Sequence, residues 1–266
     1  MNTILRNFLS VLRRFKMATA LNVLGLSVGF AAFMIIMMQV DYERGFDRMH
    51  PESGRIFRAD LMRGDARMSI HARALVDAIV ASSPRIERGA LLNPFVGNVY
   101  VTVGEDERKQ GFREPFVTCY PAITRIFGFS FTEGDADCLN DPDKLIIPQS
   151  MAQRMFGGAP ALGRAIVTNE YVWTKGEPGT FTVGGVYRDF PDNTQLDNAV
   201  YTAIDRTFLG EWDSSNFICY LLLDGGASGE DVEGYINGSF DFSRAWNPNH
   251  VKLSISLTPL TGIYLS

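Results

Sequence analysis

The uncharged run from Met17 to Val40 constrains this chain more than any other feature. It is bounded by Arg13, Arg14 and Lys16 on one side and by Asp41 and Glu43 on the other. A helix through those 24 residues rises about 36 Å at roughly 1.5 Å per residue, enough to cross a hydrocarbon core of about 30 Å with some tilt. The run is therefore read as one transmembrane helix over residues 18–40. A cleavable signal peptide also begins with bases, but its apolar core is shorter and ends at a small-residue cleavage site. Here Met34, Ile35, Ile36, Met37 and Met38 lead straight into acid without an A-x-A pattern. A buried helix of a soluble protein fits poorly, because every charge before Met17 is basic and no acid precedes Asp41.

The same asymmetry sets orientation. Arg6, Arg13, Arg14 and Lys16 precede the span with no acid among them, so positive-inside counting keeps the N-terminus cytoplasmic and sends residues 41–266 outside. Without those four bases the outer portion has 21 against 30 acids, a balance of −9 where the whole chain has −5. Nucleic acid and anionic lipid surfaces are recognised by clustered Lys and Arg, so no nucleic-acid partner is expected there.

Residues 1–17 carry Ile4, Leu5, Phe8, Leu9, Leu12 and Phe15 at three- and four-residue spacing, with Arg6, Asn7, Ser10, Arg13 and Arg14 elsewhere on the wheel. This pattern predicts an amphipathic juxtamembrane helix on membrane lipid, in preference to a plain extension of the span. Within the span Gly25 and Gly29 form a G-x-x-x-G, and Asn22, Ala18, Ala32 and Gln39 project to the same side. Small residues let another helix approach closely, and an amide in lipid favours a polar partner. Asn22, Gly25, Gly29 and Ala32 are the expected helix-packing residues. No second hydrophobic run of comparable length occurs, so partner helices are expected from another chain or from sequence continuing past this one.

The outer portion alternates strand and helix signals. Strands are predicted at Arg55–Met62, Val99–Val103, Phe112–Thr118, Lys144–Ile147, Ala165–Val172, Thr180–Arg188, Val200–Ala203, Asn216–Leu223 and Val251–Leu257. Helices are predicted at Ser69–Ala81, stopped by Pro84, at Ala122–Phe127, at Ser150–Phe156 with Ser150 as N-cap and Gly157 as stop, and at Gly229–Phe240. The order predicts an α+β extracytoplasmic domain following one N-terminal transmembrane α-helix.

Chemical constellations are sparse. Cys119, Cys138 and Cys219 are odd in number and widely spaced, so at most one disulfide can form among them, its pairing open, and no C-x-x-C occurs. His50, His71 and His250 form no H-E-x-x-H, and His71 is read as a surface or packing residue of the predicted helix. Asp135 with Asp137, and Asp141 with Asp143, do not continue into an EF-hand loop. There is no G-x-S-x-G elbow. Trp173, Trp212 and Trp246 are read as core aromatics before ligand contacts. No metal, cofactor or catalytic residue is expected.

Several blocks nevertheless carry a family resemblance. Asn22-Val-Leu-Gly-Leu-Ser-Val-Gly29, then Asp41-Tyr-Glu43 and Phe46-Asp-Arg-Met-His-Pro-Glu-Ser-Gly-Arg-Ile-Phe-Arg58, resemble the start of bacterial ABC transporter permeases of the MacB/FtsX type. Ile126-Phe-Gly-Phe129 with Glu133-Gly-Asp135 agrees, as does Ile146-Ile-Pro-Gln-Ser-Met-Ala-Gln-Arg-Met-Phe-Gly157 with Leu162-Gly163. Phe181-Thr-Val-Gly-Gly-Val-Tyr-Arg-Asp-Phe-Pro191 and Leu257-Thr-Pro-Leu-Thr-Gly-Ile-Tyr-Leu265 complete the series. Physically these blocks read as corners: Gly157, Gly163, Gly184 and Gly185 suit tight turns or close backbone approach, and Pro191 suits a strand end.

The resemblance implies that residues 41–266 form a MacB-like periplasmic core domain on an inner-membrane permease, of which this chain is the N-terminal part. It implies a separate cytoplasmic ABC ATPase as partner, a second permease copy, and a periplasmic adaptor or substrate carrier. ATP hydrolysis by that partner would drive export or extraction of substrate, so the permease subunit itself is expected to be non-catalytic. The sequence has no G-x-x-x-x-G-K-[ST]. The alternative is a membrane-anchored extracytoplasmic sensor domain of a signalling receptor, which shares the topology of one span followed by an α+β domain.

Overall fold

The computed structural model describes residues 10, 14–104, 109–172, 179–248 and 250–265, in two units, Met1–Phe46 and Asp47–Ser266. In the first unit helix α1 runs Lys16–Arg44 with no buried residue. It contains the whole expected span and outlasts it by a turn. Gln39 Nε2 donates to Glu43 Oε1 at 2.8 Å, and the Gly45 amide closes the last turn on the Asp41 carbonyl at 2.9 Å. The expected juxtamembrane helix falls mostly outside the described residues, and Lys16 and Met17 already belong to α1.

The second unit is built on strands β1 (Ile56–Arg63), β2 (Ala66–Met68), β3 (His71–Ala72), β4 (Ile86–Val103), β5 (Gln110–Cys119), β6 (Phe131–Gly134), β7 (Lys144–Pro148), β8 (Ala165–Thr168), β9 (Gly179–Tyr187), β10 (Val200–Ala203), β11 (Ser215–Leu223) and β12 (Leu253–Pro259). Its helices are α2 (Arg73–Val80), α3 (Ile123–Ile126), α4 (Gln149–Phe156) and α5 (Gly229–Ser239). The strand order is β12-β1-β11-β4-β5-β10-β7-β9-β6, mostly antiparallel, with β10 parallel to β5 and β7 parallel to β9. β8 pairs with β4 on one side and β9 on the other, so β4, β5, β10, β7, β9 and β8 close a circuit.

Period-two alternation explains how the sheet is buried on both faces. Phe57, Ala59 and Leu61 of β1, with Cys219, Leu221 and Leu223 of β11, pack under Leu75, Val76 and Ile79 of α2 and Val232 and Ile236 of α5. Their neighbours Ile56, Tyr220 and Leu222 face the opposite way, against Ile123 and Ile126 of α3 and Leu260 and Ile263. The strand circuit has its own core around Val101, Phe116, Leu145, Ile147, Phe181 and Val183, covered by Met151 and Met155 of α4.

Caps and edges are set by short-range chemistry. Ser228 caps α5, accepting from the Asp231 amide at 3.1 Å and donating to its carboxylate at 2.7 Å. Asn237 of α5 pairs with both backbone groups of Ile255, and Glu233 accepts from the Leu257 amide. The outer edge of β12 is thereby covered.

Several sequence expectations are corrected. The helix expected from Ser69 begins only at Arg73, because His71 and Ala72 pair with Phe217 and Ser215 as β3. His71 is therefore a buried sheet residue, its Nε2 donating to the Ala59 carbonyl at 2.7 Å. Ser150 is not the cap of α4: Pro148 holds that position, and the Ser150 amide is instead bound by Asp189 Oδ1 at 3.0 Å. Gly157 does end the helix, with φ +61° in the left-handed region. Gly184 and Gly185 lie within β9, where Cys138 and Phe131 crowd them as the close-approach alternative expects, and Pro191 lies four residues beyond the strand's end. Trp173 lies outside the described residues, Trp212 is half-buried, and Trp246 is 53% exposed under Arg63 rather than in a core.

Candidate membrane helix, junction and polar groove

The expected helix-packing residues Asn22, Gly25, Gly29 and Ala32 all lie exposed on α1, at three- and four-residue spacing along one side. A methyl group placed on Gly25 or Gly29 meets no atom within 4 Å, so this side is open to a second backbone. Among the described residues α1 is the one helix long and apolar enough to cross a membrane.

A buried polar junction follows immediately in sequence, at the start of the second unit. Asp47 has φ +59°, a left-handed conformation that an L-residue adopts at a cost, and is fully buried. Its amide donates to the Asn193 carbonyl at 2.9 Å. Its Oδ1 accepts from the Thr194 hydroxyl and the Gln195 amide, both at 2.7 Å. His50, equally buried, sets Nδ1 at 2.9 Å from the Phe127 carbonyl and Nε2 at 2.8 Å from Thr194 Oγ1. One hydroxyl thus joins the carboxylate and the imidazole. Asp47 Oδ2 is buried with no hydrogen-bond partner among the described residues.

Thr194 belongs to the irregular segment 188–198, between β9 and β10. Asn198 fastens it by a two-way bond to Phe190, at 2.7 Å to the amide and 2.8 Å from the carbonyl. Phe190 packs edge-on to Phe129 with centroids 4.9 Å apart and near the His50 ring at 5.8 Å. At its other end Asp189 reaches the start of α4 through Ser150. There an open groove of about 650 Å³ is lined by Thr132, Gln149, Ser150, Gln153, Arg188 and Asp189. Every lining side chain is polar, and one cation and one anion stand side by side.

The acidic pairs of the sequence make local bonds. Asp135 accepts from the Asp137 amide and Asp141 from the Asp143 amide, while Arg125 pairs with Asp137 at 2.5 Å. Among the described residues no group of three or more His, Cys, Asp or Glu is placed to hold a metal ion. All three cysteines are free; burial pushes the Cys138 thiol up to about 11 and raises Cys119 and Cys219 further.

A model of the MacB-like periplasmic core domain matches residues 19–238, most of the chain. The protein belongs to the MacB-like periplasmic core domain family. No curated protein sequence matches it. Two solved structures are similar in fold. A domain ascribed to a permease protein from Porphyromonas gingivalis has 23% identity and a TM-score of 0.64, covering 79% of this chain and 92% of that one. The periplasmic region of MacB from Actinobacillus actinomycetemcomitans has 12% identity and a TM-score of 0.54, covering 84% and 94%. The α+β reading of this MacB-like domain and its N-terminal apolar helix hold.

Of the residues that matter at the junction and groove, His50 and Ser150 drew attention in the sequence for other reasons. Asp47 lay inside a block legible only as a resemblance. Asp189, like Asp47, lay inside a resemblance block, and Thr194 carried no sequence signal, because its partners are more than a hundred residues away.

Proposed function

We propose that the protein is the permease subunit of an ABC transporter, coupling ATP hydrolysis by a separate cytoplasmic ATPase to export or extraction of substrate outside the membrane. The observation that carries this reading is the single family match running from inside α1 through the folded domain. Pairing of β1 with β12 is compatible with it, since Phe57 lies opposite Pro259 and the first and last strands of the folded unit adjoin.

In this reading α1 crosses the inner membrane with its N-terminus cytoplasmic, and residues 41–266 lie in the periplasm. Asn22, Gly25, Gly29 and Ala32 pack against other transporter helices or against a second permease copy. The acidic outer domain meets a periplasmic adaptor or a substrate carrier, and the chemistry stays with the ATPase.

The test is to follow the reading frame past Ser266 and to purify the complete protein from its own membrane. Three further spans and a co-purifying ATPase activity are the expected result. One span followed by a kinase or cyclase module would replace the permease reading with a signalling receptor.

A further inference from the structure

We infer that Asp47, His50 and Thr194 form a latch through which the junction after α1 positions segment 188–198, and with it the polar groove at the start of α4. The inference stands on the fold of the second unit, whatever the transporter carries.

Three observations combine. First, the junction is held in a costly arrangement: a left-handed aspartate, fully buried, with one carboxylate oxygen unpartnered among the described residues. Such an arrangement persists only where surrounding contacts over-determine it. The bonds to the Asp47 amide and carboxylate come from Asn193, Thr194 and Gln195, while His50 also holds the Phe127 carbonyl.

Second, the segment receiving those bonds has no strand or helix of its own to hold it. It is fixed by the junction at 193–195, by the Asn198 bracket on Phe190 and by Asp189 on the Ser150 amide, together with the Arg188 amide on the Ser130 carbonyl, the Tyr201 hydroxyl on the Asp197 carbonyl and the buried Leu196 side chain. Phe190 stacks within the same aromatic group as His50, Phe129 and Tyr187, so the segment cannot shift at one fastening without disturbing the next.

Third, the far fastening lies in the groove itself. Arg188 and Asp189 supply one wall, and Asp189 orients the first turn of α4, which supplies Gln149, Ser150 and Gln153. Moving the segment therefore changes the groove's one cation, its one anion and the helix start together. Asp47 and His50 act as positioning residues, since neither lines the groove.

The test is hydrogen exchange by mass spectrometry on the full chain in lipid nanodiscs. Thr194→Val keeps the shape of the side chain and removes the hydroxyl joining Asp47 to His50. Exchange should accelerate at least about fivefold at 149–153 and 188–190 as well as at 47–50, while β4 and β11 stay unchanged. Coupling is reciprocal, so Asp189→Ala should accelerate exchange of the Asp47 amide. If Thr194→Val speeds exchange only at 47–50 and 193–196, or nowhere, the latch is local and the inference fails. If Thr194→Val does not fold, Asp189→Ala decides alone, and an unchanged Asp47 amide overturns the inference.

Discussion

Gly134 sits directly against the Gly184 carbonyl oxygen, closer than a side-chain carbon can approach, with its backbone at φ +70°. This contact seats edge strand β6 on β9, where Gly134 pairs with Gly185. Gly134→Ala adds a methyl against backbone and a side chain in the left-handed region. It should cost more than about 1 kcal/mol, read as a lower urea midpoint by tryptophan fluorescence. An unchanged midpoint would mean that β6 is free to shift.

The His71 imidazole is held below its ordinary value, chiefly by burial. Its native state therefore binds fewer protons than the unfolded chain once pH falls through about 6.5. The contribution of neutral His71 is complete above that pH and is lost as acid is added towards the folded value. His71→Gln keeps a donor for the Ala59 carbonyl and removes the titration, so stability should fall less steeply between about pH 7 and pH 5.5. Equal slopes in the two proteins would refute this.

Thiol chemistry should follow burial. Cys119 and Cys219 are fully buried with their thiols pushed up, and Cys138 is half-buried with its thiol at about 11. A maleimide at neutral pH should label Cys138 slowly and the other two only in denaturant, because the thiolate is the reactive form. Rapid labelling of Cys119 in the folded protein would contradict the packing of β5.

On α1 the substitutions Gly25→Leu and Gly29→Leu should weaken helix assembly and transport in the complete protein while leaving the outer domain folded. Cross-linking between helices and circular dichroism separate the two effects. Full assembly and activity in both variants would show that this side of the helix is not an interface.

What could be read from sequence divides by the range of the interaction involved. The span, the strands with clean alternation and the Gly157 stop depend on neighbours a few residues apart, and the chain discloses them. Ile86–Val103 was legible only over its last five residues, since in its earlier part burial is confined to Ala90–Asn93 between exposed stretches and the register shifts between Asn93 and Gly97. The apolar neighbours of His71 fit a helical period, yet pairing with Phe217 across the sheet decides otherwise. Ser150 looks like a cap by its place in the sequence, but Asp189, 39 residues on, took the role through space. The latch was illegible for the same reason: Thr194 lies 144 residues from His50.

The proposed function requires α1 to span the membrane with residues 41–266 outside it. Tyr235 on α5 is 52% exposed, so Tyr235→Cys, in a chain with Cys138→Ala, offers one accessible thiol. In intact spheroplasts a membrane-impermeant maleimide should label that position to the same extent as after lysis. Labelling that appears only once the membrane is broken would contradict the account.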